Sequence, residues 1–183
     1  MVGMVECKRV KAMKRNEGFT LVEMLVVIAI LGVLMAMMVP AAGYIVKRAK
    51  AATARSDAGV VVSVMMKYQT EYNRWPEAYK NDGGGSTDKN WVALMAPPPG
   101  TSSPGNPKRV QFFEAGGGAL NQAGAFADPW GNAYRFAFDR TGSGEVRSPN
   151  EDSDDIIRGS VVAWSAGPDG NFETWDDNVL SWE

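Results

Sequence analysis

The chain has 183 residues, of which 45% are hydrophobic, and a formal net charge of −2, as expected for one ordinary folded domain with an appendage. It contains no histidine and a single cysteine, Cys7, which excludes histidine-dependent catalysis and any intramolecular disulfide. Residues 1–18 hold five of the 19 Lys and Arg and two of the 21 Asp and Glu, so the remainder carries a net charge of −5. An acidic remainder argues against nucleic acid as a partner.

An apolar run follows this basic leader, from Phe19 to Val39. Its length is close to the roughly 20 residues that a helix needs to cross a bilayer, so we predict a transmembrane helix. The positive-inside rule places the basic leader in the cytoplasm and the carboxyl-terminal part outside. Glu23 is the one carboxylate in the run, and because its charge costs about 2.5 kcal/mol or more in hydrocarbon, it requires a partner or a purpose.

Beyond Pro40, apolar residues continue at helical spacing, among them Val60, Val64, Tyr68 and Tyr72. The pattern predicts that the helix runs to about Asn73, with a kink at Pro40 and an end imposed by residues 74–76, which contain a proline. A helix of this length cannot be buried wholly in a domain this small, so its first half is expected to project.

The middle of the chain alternates loops rich in glycine and proline with short strand candidates. The candidates are residues 108–113, residues 132–139 after the turn Asp128-Pro129-Trp130-Gly131, and residues 158–167. We predict an α+β fold, in which a long amino-terminal helix, half transmembrane and half amphipathic, packs on a small antiparallel sheet.

The segment from Lys14 to Pro40 resembles the prepilin signature of the type IV pilin superfamily, with its basic leader, Gly18, Phe19 and Glu23. The resemblance implies a pilin-like fold. It also implies that a prepilin peptidase cuts between Gly18 and Phe19 and methylates the freed amine of Phe19.

That amine would supply the partner that Glu23 lacks. Opposite charges attract strongly in a low dielectric, and unpaired ones are heavily penalised. If the pair forms between neighbouring helices, the two charges of a subunit are both paired only when another subunit lies beside it. Glu23 would then be an assembly residue. Pro40 belongs to the same signature. The family is understood to assemble as a helical filament that grows from the inner membrane.

The carboxyl-terminal residues gather oxygen-bearing side chains, with Asp169, Asp176, Asp177 and Asn178 among them. Such a density of hard oxygen ligands on loop backbone suits calcium. The spacing that starts at Asp169 begins like an EF-hand, but it lacks the glycine at the sixth place and the terminal glutamate, so an EF-hand is rejected. A solvated acidic loop is the alternative on composition alone.

Within the superfamily, the chain most resembles the major pseudopilins of type II secretion systems. The resemblance rests on residues 68–76 (YQTEYNRWP), 128–134 (DPWGNAY), 167–170 (GPDG) and 176–182 (DDNVLSW). It implies a calcium loop in which Asp169 and the backbone carbonyl of Ala166 are ligands and in which Asp176 and Asn178 hold the positions of the later ligands. Because Asn178 is neutral where an aspartate is expected, Asp177 is the alternative to it.

The resemblance further implies four regions: a cleaved cytoplasmic leader (1–18), a transmembrane and filament-core helix (19–40), an amphipathic helix (41–76) and a periplasmic headgroup (77–183). The function implied is a non-enzymatic subunit of a secretion pseudopilus, anchored in the inner membrane by one span. Its partners would be copies of itself, minor pseudopilins, the prepilin peptidase and the inner-membrane assembly platform. The alternatives are a type IV pilus subunit for adhesion, motility or DNA uptake, and a membrane-anchored calcium-dependent enzyme, which would lack a histidine base.

Overall fold

A computed structural model describes residues 18–81, 83–114, 116, 118–150 and 153–182. The basic leader up to residue 17, with Cys7, lies outside the described residues. The side chains of residues 38–42 also lie outside them, so the kink predicted at Pro40 stays a prediction.

The described chain has an α+β fold, as predicted, with three helices and six strands. The helices are α1 (Leu21–Tyr72), α2 (Glu77–Lys80) and α3 (Lys89–Met95), and the strands are β1 (Gly84–Ser86), β2 (Arg135–Phe138), β3 (Glu145–Arg147), β4 (Ile156–Arg158), β5 (Val161–Ser165) and β6 (Val179–Leu180). Four strands form an antiparallel sheet in the order β1-β2-β5-β6, and β3 and β4 form a separate hairpin. The chain divides into two compact units between Tyr44 and Ile45.

Helix α1 ends one residue before the predicted position. Asn73 adopts a left-handed backbone conformation with φ of 51°, a common way for a helix to stop, so the end is set before the Trp75-Pro76 pair. The stripe that α1 buries is made of Ala54, Ala58, Val61, Val64, Met65 and Tyr68. Val60, which we expected in this stripe, is 37% exposed and lies outside it.

Two of the three predicted strands are confirmed, since residues 132–139 contain β2 and residues 158–167 contain β5. The prediction for residues 108–113 is wrong. Phe112 donates its backbone N–H to the carbonyl of Met95 at 2.8 Å, and its ring packs in the core with α1. The apolar residues of this segment therefore fill the core from an irregular chain, which pairs with none of the strands in the described residues.

Strand β5 is buried along its whole length. Its side chains alternate between two hydrophobic clusters: Val161 and Ala163 contribute to the cluster that contains α1, and Val162 and Trp164 to a second cluster behind the sheet. This alternation is the ordinary period of a strand. It makes β5 an element shared by both cores, and it fixes the position of Ser165 at the end of the strand.

The proline-rich loop after α3 is held by a buried asparagine. Asn106 is fully buried, and its Nδ2 donates to the carbonyls of Leu94 at 2.9 Å and Val110 at 2.7 Å. Its Oδ1 accepts from the Tyr72 hydroxyl at 2.6 Å and from the Val110 backbone N–H at 2.9 Å. All of the hydrogen-bonding capacity of the amide is directed inward, so this loop is tied to α1 and α3.

A second organised loop follows β2. The carboxylate of Asp139 accepts hydrogen bonds from the backbone of Thr141, Gly142 and Gly144 and from the Thr141 hydroxyl. Burial alone would raise the pKa of this carboxyl, but the four donors lower it to about 2. The Asp139 carbonyl accepts from the Trp75 indole at 2.7 Å, which joins the loop to the segment after α1.

Candidate functional site

The first candidate site is the start of α1, where Glu23 forms a capping box with Thr20. The Thr20 backbone N–H and hydroxyl both donate to Glu23 Oε2 at 2.8 Å, and the Glu23 N–H donates to the Thr20 hydroxyl at 3.2 Å. Sequence reasoning missed this partner, although Thr20-Leu21-Val22-Glu23 has the spacing of a capping box. Glu23 Oε1 accepts no hydrogen bond from any described residue.

Residues on either side of this carboxylate are exposed and apolar. Before it, Phe19 is 77% exposed and Leu21 is 81% exposed, and after it Met24 is 45% exposed. A side-chain carbon at Gly18, the residue before Phe19, would have open space around it to 4 Å among the described residues other than its chain neighbours. None of the helices in the described residues is both long enough and apolar enough to span a membrane, so the predicted span is not confirmed.

The second candidate site is the segment that joins β5 to β6, residues 166–178, which we call the cation loop. It starts from Ala166, which is fully buried, and turns at Gly167 and Gly170, whose φ angles are 69° and 72°. A side chain at Gly167 would meet the carbonyl of Asp177. Glycine is therefore required there both by its conformation and by the close approach of the two ends of the loop.

Asp169 is held in place from within the cation loop. Its carboxylate accepts hydrogen bonds from the Thr174 hydroxyl and from the Asn171 backbone N–H, and these two bonds lower its pKa below the ordinary value for aspartate. Its own N–H donates to Asp177 Oδ2 at 3.3 Å. Asp169 is thus ionised at neutral pH and linked directly to Asp177.

Two oxygens of the loop are buried without a hydrogen-bond partner among the described residues: Asp177 Oδ1 and Asn178 Oδ1. A buried polar atom without a partner costs about 1–3 kcal/mol, so such atoms require an explanation. The Asn178 amide is oriented by a hydrogen bond from its Nδ2 to the carbonyl of Phe172 at 3.2 Å. Both oxygens are of the type that ligates a hard cation.

Asp176 differs from the other predicted ligands. Its side chain is exposed, and it makes no hydrogen bond or ion pair with a described residue. Across the described part of the chain, no group of three His, Cys, Asp or Glu side chains lies close enough to hold a metal ion. A cation at this loop would therefore depend on amide and carbonyl oxygens as well as carboxylates, which is the donor set that calcium accepts.

Aromatic residues anchor the cation loop to the second cluster. Phe172 and Trp175 pack against the group that contains Trp164, and the Trp164 and Trp175 ring centroids are 6.2 Å apart. The Arg135 guanidinium lies 4.1 Å from the centre of the Phe172 ring, within the range of a cation–π interaction. The middle of the loop is thereby attached to β2 and β5.

The turn at residues 128–132 lies against the start of the cation loop. The Asp128 carboxylate accepts from the backbone N–H groups of Trp130 and Asn132, both at 2.9 Å, which confirms the turn predicted from the sequence. The same carboxylate accepts from the Ser165 hydroxyl at 2.5 Å. That hydroxyl in turn accepts from the Gly167 N–H at 2.9 Å.

The chain matches the model of the prokaryotic N-terminal methylation motif at residues 13–39. It is 30% identical over 163 residues to the type II secretion system core protein G of Pectobacterium carotovorum subsp. carotovorum, which covers 89% of this chain and 83% of that protein. The protein of the same name from Dickeya chrysanthemi is 29% identical over 169 residues, covering 92% of this chain and 88% of that protein.

The chain is also similar to a solved structure, that of the major pseudopilin from the type 2 secretion system of enterohaemorrhagic Escherichia coli. The match has a TM-score of 0.36 and 20% sequence identity, and it covers 74% of this chain and 85% of that one.

Proposed function

This chain belongs to the family of the type II secretion system core protein G, and we propose that it is the structural subunit of a secretion pseudopilus. The observation that carries the proposal is the likeness to that family over 89% of the chain, together with the methylation motif at residues 13–39. The proposed activity is assembly into a filament that helps to drive protein export across the outer membrane.

The proposed processing is cleavage between Gly18 and Phe19 by a prepilin peptidase, followed by methylation of the Phe19 amine. The protein would start as a single-pass inner-membrane protein, with the apolar run 19–39 in the bilayer and the headgroup in the periplasm. Support comes from the basic leader, from the apolar sequence and from the exposure of the described side chains in this run. The partners in assembly would be further copies of the chain, minor pseudopilins and the assembly platform.

Glu23 would pair with the amine of Phe19 in a neighbouring subunit. The capping box uses Oε2 of this carboxylate and leaves Oε1 without a hydrogen bond from the described residues. One carboxylate can therefore cap its own helix and accept the amine of a neighbour at the same time. The isolated subunit lacks the second interaction, so association of subunits lowers the free energy of the charged group.

Mass spectrometry of protein recovered from membranes tests the processing step. We expect a mature amino terminus at N-methylated Phe19, whereas an intact chain beginning at Met1 would refute the filament assignment. The variant Glu23→Gln tests assembly, because glutamine can still close a capping box but carries no charge for the amine. We expect this variant to be cleaved normally and to be missing from filaments, and Thr53→Val on the exposed side of α1 is the control.

A deletion strain separates a secretion pseudopilus from a surface pilus. We expect loss of exported proteins from the culture medium, unchanged surface piliation and restoration of export by the intact gene. Loss of surface pili with normal export would instead assign the chain to a type IV pilus.

We further assign calcium to the cation loop, with Asp169, Asp177, Asn178 and the carbonyl of Ala166 as ligands and Asp176 as an additional carboxylate at its surface. The support is the hard oxygen donor set and the two orphaned buried oxygens of Asp177 and Asn178. Bound calcium would supply positive charge that offsets these carboxylates. The chain's own contribution is to bring its two loop ends together at Gly167 and Asp177.

Thermal unfolding of the full chain in detergent tests the calcium assignment. At a free calcium concentration of about 100 times Kd, binding stabilises the folded state by about 2.7 kcal/mol, or roughly 5–10 °C in Tm for a chain of this size. EGTA should abolish the shift and magnesium should not reproduce it. The variant Asp177→Asn should lose most of it while the exposed control Asp154→Asn keeps it, and identical melting curves with and without calcium would refute the assignment.

A further inference from the structure

We propose that Asp128, Ser165 and Asn132 are positioning residues that hold the start of the cation loop in its binding shape before any cation arrives. The inference rests on the calcium assignment proposed above. None of the three residues is a proposed ligand, and all three lie outside the segment 166–178 that supplies the ligands.

The first connection is a relay whose direction is fixed by chemistry. A backbone N–H can only donate, so the Ser165 hydroxyl oxygen accepts from Gly167, and its single hydrogen is donated to Asp128 Oδ2, from which the hydroxyl oxygen lies 2.5 Å. The hydroxyl oxygen then has its lone pairs free to accept, and it accepts from the Gly167 N–H at 2.9 Å. The relay therefore orients the peptide unit between Ala166 and Gly167, the unit that contains the Ala166 carbonyl proposed as a ligand.

The second connection is the side chain of Asn132. Its Nδ2 donates to the carbonyl of Gly167 at 3.3 Å, and its Oδ1 lies 3.2 Å from the place that a side-chain carbon at Gly170 would occupy. The turn at residues 128–132 thus forms a hydrogen bond with Gly167 and lies close to Gly170, the two ends of the tetrapeptide Gly167–Gly170. Asp169 lies inside this tetrapeptide, so its position depends on the same contacts.

Burial makes these contacts hard to replace with water. Ser165 is fully buried and Asp128 is 6% exposed, and both carboxylate oxygens of Asp128 already accept hydrogen bonds. Asp128 Oδ2 also accepts from Asn132 Nδ2 at 3.4 Å, so each oxygen of this carboxylate accepts two hydrogen bonds that hold the turn and the relay. Residues that orient ligands in this way commonly change metal affinity 10–100-fold when they are replaced.

The test compares two buried hydroxyls in the full chain in detergent. Ser165→Ala removes the relay, and Thr87→Val is the matched control. Thr87 is also fully buried, and its hydroxyl also accepts from a backbone N–H, that of Tyr134. The same hydroxyl donates to the carbonyl of Phe126 at 2.6 Å, with the Tyr134 carbonyl as a longer second acceptor at 3.3 Å. Both variants should unfold at lower temperature. Only Ser165→Ala should weaken calcium binding, by about 10-fold in titration calorimetry, while Thr87→Val stays within about 2-fold of the parent.

Hydrogen exchange in EGTA provides a readout that needs no calcium. The Gly167 amide should be protected in the parent and should exchange at least about 10-fold faster in Ser165→Ala, with no change in Thr87→Val. If Ser165→Ala fails to fold, Asn132→Ala on the half-buried turn replaces it, with the same expected loss of calcium affinity. Equal calcium affinity in parent and variants would overturn the positioning role alone, whereas a parent protein that binds no calcium would overturn the calcium assignment and this inference with it.

Discussion

Replacing Asn106 with alanine should destabilise the headgroup more than any other single polar substitution in its loops. The four hydrogen bonds of this fully buried amide would be lost together. The loss deprives the carbonyls of Leu94 and Val110 of this donor and deprives the Val110 N–H and the Tyr72 hydroxyl of their acceptor. At a net value of about 1 kcal/mol for each bond, the free energy of unfolding should fall by about 3–5 kcal/mol. In a chain of this size that corresponds to a Tm lower by roughly 10 °C.

The assay is thermal unfolding of the full chain in detergent, followed by near-ultraviolet circular dichroism. Asn90→Ala is the control, since Asn90 is exposed and its side chain makes one hydrogen bond, of 3.3 Å, to Asp88; its Tm should change by less than about 2 °C. Because the Val110 N–H loses its acceptor, Asn106 Oδ1, Asn106→Ala should also raise the hydrogen exchange of the Val110 amide. If Asn106→Ala lowered the Tm no more than Asn90→Ala, the conclusion that this amide holds the loop to α1 would be wrong.

Three further predictions concern other contacts. Gly167→Ala forces a side chain against the Asp177 carbonyl at a φ of 69°, so the Tm should fall and any calcium-dependent gain in Tm should disappear. The control Gly118→Ala, with open space around it, should leave both the Tm and the gain unchanged. The pKa of Asp139 is lowered to about 2, so the stability that its carboxylate contributes is complete above the ordinary pKa and is lost as the pH falls from about 4 to about 2. Asp139→Asn should therefore lower the Tm at pH 7 and remove the fall in Tm between about pH 4 and about pH 2. If the Tm of this variant depended on pH as that of the parent does, the role of the Asp139 carboxylate would be contradicted. Thr20→Val removes the hydroxyl that joins Glu23 in the capping box, so exchange of the first amides of α1 should accelerate in detergent, and exchange equal to that of Thr53→Val would refute the cap.

The long helix and the family could be predicted because their signals are local. The apolar run, the helical spacing up to Tyr72 and the residues around Gly18 lie within short windows, and β2 and β5 are rich in aromatic and β-branched residues. The capping box of Thr20 and Glu23 is equally local, and it could have been predicted from its spacing.

The remaining elements depend on residues distant in the sequence. Strand β1 consists of Gly84, Gly85 and Ser86 and has no strand propensity of its own, but it pairs with β2. Gly85 is required there because the Tyr79 ring packs against it. Residues 108–113 have a strand-like composition, yet the contacts of Asn106 hold them as irregular chain.

The candidate sites divide in the same way. The donors of the cation loop are adjacent in sequence and could be named in advance, but the relay from Asp128 through Ser165 joins residues 37 positions apart. The sequence pattern also could not predict which of the two later aspartates, Asp176 or Asp177, turns inward. Asp176 is exposed and Asp177 is partly buried, because the close approach of the loop ends at Gly167 selects the second of the two.

Strand β5 has a consequence for the timing of folding. It contributes Val161 and Ala163 to the core that covers the buried stripe of α1, yet it is synthesised some 90 residues after α1 ends at Tyr72. At about 5–20 residues per second, the stripe that contains Met65 and Tyr68 waits roughly 5–20 s before β5 can cover it. During that interval the nascent chain presents an apolar helix face to its surroundings, so the period of greatest exposure to aggregation falls within synthesis itself.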